Sequence, residues 1–395
     1  MSNKTEWKAK QVSLGSTVVA AAVTLALGLF LGFKLNAFLP YLGGTVSSGS
    51  DISWSSLNEV YDKLAKNYDG ELDRSLVLEN AKKGIAASVG DPYTVYLSKD
   101  EATEFTKSLH GDVGSGIGVE MGLRDGYVRI LRTLPDNPAR KAGVLAGDII
   151  YKVDDEPVYS WDSEDIANVL RGASGTSVEL TVLRDGEELS FDLIRETINN
   201  VSAYYELRDD AAIITITRFD TDTGSLVASF ANDILNSGAK KIILDLRNNG
   251  GGYVSAARDL LSLWLDGEKI LIQKSKLSSS DELTYSLRGQ ALFGNTRTIV
   301  LVNENTASAS EIVTGALKDY GKATVLGKTT FGKGVVQTML NLSGGTILKV
   351  TTAHWYTPLE SSINGTGIEP DIEVEMSYDD INALRDPQLD AALAL

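Results

Sequence analysis

The spacing of apolar positions changes character twice along the chain. Residues 55–108 carry helical spacing in Leu57, Val60, Tyr61 and Leu64, and again in Leu76, Leu78, Ala81 and Ile85, before Gly90-Asp91-Pro92 breaks it. From Gly114 to about Thr197 the pattern becomes short β-type runs between turns, at 127–131, 148–153, 178–183 and 189–194, with one helix near 164–171. Beyond that, predicted strands at 212–217, 241–246, 298–303 and 323–327 alternate with predicted helices at 225–236, 254–265 and 308–320, and a long β-run spans 335–355. Alternation of this kind predicts layered α/β architecture, so the chain reads as a multidomain α/β protein with a small helical region, a separate β-rich module and an α/β core.

Ahead of these elements, residues 11–33 hold no charge and are rich in Val, Ala, Leu and Phe. At about 1.5 Å per residue such a helix covers the roughly 30 Å hydrocarbon core of a bilayer, and it exceeds the roughly 7–15 apolar residues of a cleavable leader. The expectation is an uncleaved transmembrane anchor over 12–33. Lys4, Lys8 and Lys10 precede it and only Lys34 follows before Asp51, so the positive-inside bias puts residues 1–11 in the cytoplasm and the rest of the chain outside a cell membrane crossed once. Residues 34–50, uncharged apart from Lys34 and rich in Gly and Ser toward their end, read as a linker.

Charge and composition narrow the chemistry. With 37 Lys+Arg against 53 Asp+Glu, the formal net charge is −16, and no basic stripe with interleaved aromatics offsets it, which excludes nucleic acid as a partner. The absence of cysteine excludes disulfides, thiolate metal sites and a cysteine nucleophile. Only His110 and His354 are present, neither with a second ligand at helical spacing, so no zinc-peptidase ligand set exists. His354 lies in an apolar strand pattern and is expected to pack there.

Three segments carry candidate chemistry. Asn303-Glu304-Asn305-Thr306-Ala307-Ser308-Ala309-Ser310-Glu311 follows an apolar strand and opens a helix. Ser308 with Glu311 has capping-box spacing, which accounts for both residues structurally. The same position would also expose a hydroxyl to unpaired N–H groups and the positive end of the helix dipole, where an oxyanion is stabilised. Phe331-Gly332-Lys333-Gly334 is a turn feeding a strand; Lys333 reads as a solvated turn lysine unless burial lowers its pKa enough for it to act as a base. Gln337, four residues on, would share a strand face with it. Asp245-Leu246-Arg247-Asn248-Asn249-Gly250-Gly251-Gly252 ends a strand in a glycine loop that lacks the phosphate-binding signatures but could present free N–H groups. Ser237-Gly238-Ala239-Lys240 with Lys328-Thr329-Thr330 imitates the motifs of penicillin-binding enzymes, yet Ser237 closes a helix where those enzymes need it to open one.

The blocks LVNENTASASEIVTGALKDYG, GKTTFGKGVVQ, LDLRNNGGG and INGTGIEPD, together with DPYTVYL and the GSGIGVE…AGVLAGDIIYKVDDEPV module, resemble the C-terminal processing peptidases, or tail-specific proteases, PDZ-containing serine peptidases of the S41 type. The resemblance runs from about Asp51 to Val374. It implies Ser308 as nucleophile, Lys333 as base and Gln337 as its support. It further implies Ala309 and Gly252 as oxyanion-hole amides and Gly116, Ile117, Gly118 and Val119 as the PDZ segment that takes a C-terminal carboxylate. Thr306 stands where many relatives have Ser and Gly250 where many have Pro. The expected boundaries are a helical region over 51–111, a PDZ domain over 112–198, a peptidase core over 199–378 and a tail over 379–395. The expected partners are the membrane and protein or peptide substrates with accessible C-termini, with no cofactor, and homo-oligomerisation is left open. A catalytically silent, membrane-tethered PDZ scaffold is the alternative, and the presence of both Ser308 and Lys333 weighs against it.

Overall fold

The computed structural model describes residues 54–395 except Asp125, Tyr378, Ile381, Asn382 and Leu384, so the expected cytoplasmic tail, the anchor over 12–33 and the linker lie outside the described residues. Among the described residues no helix is long and apolar enough to cross a membrane. The chain divides into two units at Arg74 and Ser75. In the first unit the described element is helix α1 (Trp54–Asn67), whose apolar stripe of Trp54, Leu57, Val60 and Leu64 is exposed.

The second unit starts with helix α2 (Arg74–Ala87), strand β1 (Val95–Leu97) and helix α3 (Lys99–Leu109). A reciprocal capping box starts α3: Ser98 N–H donates to Glu101 Oε2 at 2.8 Å, and Glu101 N–H donates to Ser98 Oγ at 3.3 Å. The β-rich module then runs through β2 (Ser115–Gly116), β3 (Val119–Arg124), β4 (Tyr127–Thr133), α4 (Pro138–Ala142), β5 (Ile149–Val153), β6 (Glu156–Pro157), α5 (Ser163–Leu170), β7 (Ser177–Arg184), β8 (Glu187–Ile194) and β9 (Glu196–Thr197). Its antiparallel sheet has the order β3-β4-β5-β7-β8, which leaves β3 at an edge. In β7, Val178, Leu180 and Val182 are buried at every second position and meet Ile130, Ile150, Ile166 and Leu193 in a core of its own. Asp148, nearly fully buried, is paired in two-point fashion with Arg184, at 2.7 Å to both Nε and Nη2, so that neither charge is left unpartnered.

The remaining elements are β10 (Ala203–Arg208), β11 (Ala211–Ile216), α6 (Thr223–Asn236), β12 (Lys241–Asp245), α7 (Val254–Leu261), β13 (Lys269–Lys274), β14 (Glu282–Tyr285), β15 (Arg297–Val302), α8 (Ala309–Asp319), β16 (Thr324–Gly327), β17 (Val335–Asn341), β18 (Ile347–Tyr356), β19 (Ile372–Glu373) and α9 (Pro387–Ala394). One sheet has the order β10-β11-β12-β15-β16-β19, with every pairing from β11 onward parallel. Burial on both faces explains why its strands read as continuous apolar runs. Ile214, Ile242, Leu244 and Val300 face α6, α7 and α8, whereas Ile213, Ile243, Ile299 and Leu301 face α9 through Leu389 and Ala392. The final residues, expected as a tail, thus supply a covering helix, tied down where Arg247 Nη1 and Nη2 donate to Asp386 at 2.8 and 2.9 Å.

The long β-run resolves into a hairpin, β17 and β18, around Ser343-Gly344-Gly345, where Gly344 takes φ 79°. These strands form a second sheet with β1, β13 and β14. His354 does sit in β18, but its side chain is exposed instead of packing, because the neighbours Ala353 and Trp355 take the inward positions.

Candidate active site

Ser308 sits between β15 and α8 with φ 56° and ψ −116°, a backbone region that L-residues seldom occupy and that the surrounding bonds must hold in place. Buried Thr306 donates from Oγ1 to Leu246 O at 2.9 Å, and Asn249 O accepts from Ala307 N–H and from Ser310 Oγ, each at 3.0 Å. Asn249 itself is fixed by donating to Ile216 O at 2.8 Å and accepting from Gly251 N–H at 2.9 Å. The glycine loop after β12 is thereby laced to the turn before α8.

The glycines are there for close approach. A Cβ on Gly251 would lie 2.7 Å from Ser308 Cβ and 2.9 Å from Ala309 N, and one on Gly252, at φ 145°, would lie 2.2 Å from Phe219 O. Only residues without a Cβ let the loop reach the serine in this way. Among the described residues neither the Ala309 nor the Gly252 amide donates to a protein acceptor. Such unclaimed N–H groups, one of them at a helix start, suit an oxyanion.

Lys333 is brought to the same place by the turn after β16. Gly332 adopts φ 86°, and a Cβ there would lie 2.8 Å from Gly367 N, so the turn is clamped against the 363–368 loop. Trp355 Nε1 donates to Lys333 O at 3.0 Å. The Lys333 ammonium stands 5.3 Å from the Tyr93 ring centroid. Burial pushes its pKa below the usual lysine value, and the charge of Lys349 pushes the same way, while Glu311 pulls upward. Gln337 donates to Tyr93 O and not to Lys333, so its contact with the lysine region runs through Tyr93. A bulge between Val336 and Gln337 offsets the simple strand spacing.

One residue joins the two halves. Glu311 is fully buried, and its Oε2 accepts from Ser308 N–H at 2.8 Å and from Lys333 N–H at 2.9 Å, while Oε1 accepts from Thr330 Oγ1 and Gly332 N–H, both at 2.7 Å. Its capping spacing was legible in the sequence; its grip on the lysine turn depends on a contact between distant segments that no local pattern carries. Tyr93 and Lys349 likewise reach the site through contacts between distant segments that no local pattern carries.

Ser308, Lys333, Gln337 and Gly252 line one cavity of about 450 Å³, together with Arg218, Lys349 and Met339. Neither histidine reaches it: His110 Nδ1 is 3.5 Å from Asp220 Oδ1, and His354 lines a separate surface cavity. Ser237 closes α6, and Lys240 is on the surface 3.7 Å from Asp210, which disposes of the penicillin-binding arrangement. Among the described residues no group of three or more His, Cys, Asp or Glu could hold a metal.

The second candidate site is a groove of about 160 Å³ between β3 and α5, lined by Gly116, Ile117, Gly118, Val119, Leu170 and Arg171. Gly118 has φ 77°, and a Cβ there would lie 2.3 Å from Asn137 Cβ. The Ile117 and Gly118 amides donate to no acceptor among the described residues, and β3 is an edge strand, so both backbone donors and a strand-pairing edge are available.

Comparison with known proteins identifies the family of the chain. The model of peptidase family S41 matches residues 210–374, and a PDZ domain model matches residues 129–184. A "Probable CtpA-like serine protease" of Staphylococcus aureus (strain N315) is 31% identical over 96% of this chain and 75% of its own. One of Staphylococcus haemolyticus is 31% identical over 93% and 72%. Among solved structures, the photosystem II D1 C-terminal processing protease is similar with a TM-score of 0.52 and 27% identity over 82% of this chain and 87% of its own. A putative S41 protease from Bacteroides fragilis shares the fold, with a TM-score of 0.59 and 16% identity over 88% and 98%. The chain belongs to peptidase family S41 and is a serine peptidase that carries a PDZ domain.

Proposed function

We propose that this peptidase works with a Ser308–Lys333 dyad, reads substrate C-termini through its PDZ domain, and is held by residues 12–33 in a membrane with its peptidase domain on the extracytoplasmic side. The observation that carries the dyad is the shared carboxylate oxygen: Glu311 Oε2 takes the amides of both Ser308 and Lys333, so residues far apart in sequence are held as one unit at one cavity. Neutral Lys333 takes the proton of Ser308 as Oγ attacks a peptide carbonyl. The amides of Ala309 and Gly252 receive the oxyanion, the protonated amine returns its proton to the leaving nitrogen, and water then hydrolyses the acyl-enzyme by the same route. Gln337 acts on this unit by holding the Tyr93 carbonyl, and with it the ring that lies over the lysine.

For the PDZ domain, the unclaimed amides of Ile117 and Gly118 and the free edge of β3 support capture of an extended tail with its carboxylate in the loop. The anchor rests on the uncharged length of residues 11–33 and the lysines before it. The test is cleavage of one unfolded protein, prepared with a free and an amidated C-terminus, by the full chain and by its Ser308→Ala and Lys333→Ala forms. Both variants should be inactive with an unaltered circular-dichroism spectrum, and amidation should slow the wild type roughly 5- to 150-fold, by the cost of leaving buried donors unmatched. Activity in either variant would refute the dyad, and equal rates on the two substrates would refute C-terminal reading.

A further inference from the structure

The charged side chains that line the Ser308 cavity are all cationic: Arg218, Lys333 and Lys349, in a protein whose net charge is −16. Arg218 is already engaged, with Asp220 at 3.5 Å and the carbonyls of Asn200 and His110 as acceptors. Lys333 has its place in the dyad. Lys349 has no such duty. It projects from β18, where it pairs with Val95 on one side and Met339 on the other, and its ammonium lies 5.1 Å from the Phe105 ring centroid. Among the described residues no carboxylate lies within 4 Å of it, although it is withdrawn from solvent enough for burial to lower its pKa. A half-buried cation with an aromatic face behind it and an open cavity in front lacks an anion.

We propose that Lys349 is a specificity-determining residue, its ammonium forming a carboxylate-binding subsite beside Ser308, so that peptides presenting a negative charge close to the scissile bond are preferred. The inference rests on the Ser308–Lys333 reading only for where the bond is cut. The carboxylate can come from an Asp or Glu side chain, or from the α-carboxylate of a substrate cut a few residues from its end. In either case it would also relieve the repulsion that Lys349 exerts on a protonated Lys333.

The experiment uses the full chain in detergent micelles with two peptide series. One places Glu or Gln at successive positions around the cleaved bond with the C-terminus unchanged. The other has a free or an amidated C-terminus and is run in a Gly118→Ala background, where a Cβ 2.3 Å from Asn137 Cβ disrupts the PDZ loop and removes its own reading of the tail. The readout is the ratio of kcat/KM for the charged and neutral members, which cancels any general change in rate. In the wild type at least one series should favour the charged member about 10-fold, a typical worth for a charge-assisted contact of this exposure. Lys349→Met keeps the stem against Phe105 and should bring that ratio to within about 2-fold, Lys349→Arg should preserve it, and Lys349→Glu should invert it. Loss confined to the Glu and Gln series identifies a side-chain carboxylate, and loss confined to the free and amidated series identifies the α-carboxylate. A wild type without charge preference, or a preference that survives Lys349→Met, overturns the proposal. Binding of the same peptides to Ser308→Ala protein, with and without Lys349→Met, tests the subsite without catalysis. Failure of the dyad and failure of the subsite are thereby told apart.

Discussion

Replacing Glu311 by Gln leaves shape almost unchanged and removes half of what the carboxylate accepts. In the folded protein each carboxylate oxygen takes two donors, Thr330 Oγ1 and Gly332 N–H on one side, Ser308 N–H and Lys333 N–H on the other, all between 2.7 and 2.9 Å. A carboxamide can satisfy one pair; its NH2 must face the other. Turned toward Thr330, it meets a hydroxyl that can rotate and a Gly332 N–H that cannot; turned the other way, it faces two backbone donors. At least one buried N–H is therefore orphaned, at about 1–3 kcal/mol, and the bonds that survive fall from charge-assisted to neutral, at about 1 kcal/mol each. The sum is about 3–5 kcal/mol, which at roughly 2–4 °C per kcal/mol lowers the melting temperature of the peptidase core by about 6–20 °C. Because the orphaned group belongs to the segment that positions Lys333 or Ser308, kcat should also fall on the order of 100-fold when assayed well below the melt. Calorimetry and peptide hydrolysis on the same preparation read both effects. A Gln form that melts within about 2 °C of the wild type and turns over at its rate would refute the reasoning, since one unsatisfied buried donor alone exceeds that shift.

Burial first and Lys349 second hold Lys333 below the ordinary lysine pKa of 10.5, so turnover should climb with pH through that depressed pKa while the fold stays intact, as a pH–kcat profile would show. The stability sign follows: the folded state holds this proton less tightly than the unfolded state, so protonated Lys333 costs stability below its folded pKa, and the cost is relieved as pH rises from there toward 10.5. Lys333→Met should accordingly melt higher than the wild type at neutral pH while being inactive, and a lower melting temperature would contradict it. Gly252→Ala puts a Cβ 2.2 Å from Phe219 O at φ 145°, so the loop must move and activity should drop about 100-fold or more, with initial rates as the check.

Much of this architecture can be read along the chain because it rests on period. The alternation in β7 and the continuous apolar runs of β11, β12 and β15 mark half-buried and doubly buried strands directly, and Ser237 sits at the end of α6 as its sequence context implied. Ser308 and Lys333 were marked by glycines and small residues whose conformations the structure explains. What stayed hidden depends on segments meeting. The apolar pattern of β18 places His354 in a strand without saying which face is covered, and its neighbours turned out to hold the buried face. The double role of Glu311, the approach of Tyr93 to Lys333, and the cover that α9 gives the sheet all arise between residues far apart in the chain, where no local spacing signals them. Gln337 lines the cavity, but its amide donates to the Tyr93 carbonyl and not to the lysine, and a bulge at Val336 and Gln337 offsets the spacing that would put the two on one strand face.

The most direct measurement of the dyad is the site and pH dependence of labelling by a serine-directed acylating reagent, followed by intact mass and peptide mapping of the full chain. A single adduct on Ser308 is expected, formed faster as pH rises through the depressed Lys333 pKa and formed at a background rate in Lys333→Ala. An adduct on another residue, or equal labelling of Ser308 with and without Lys333, would contradict it.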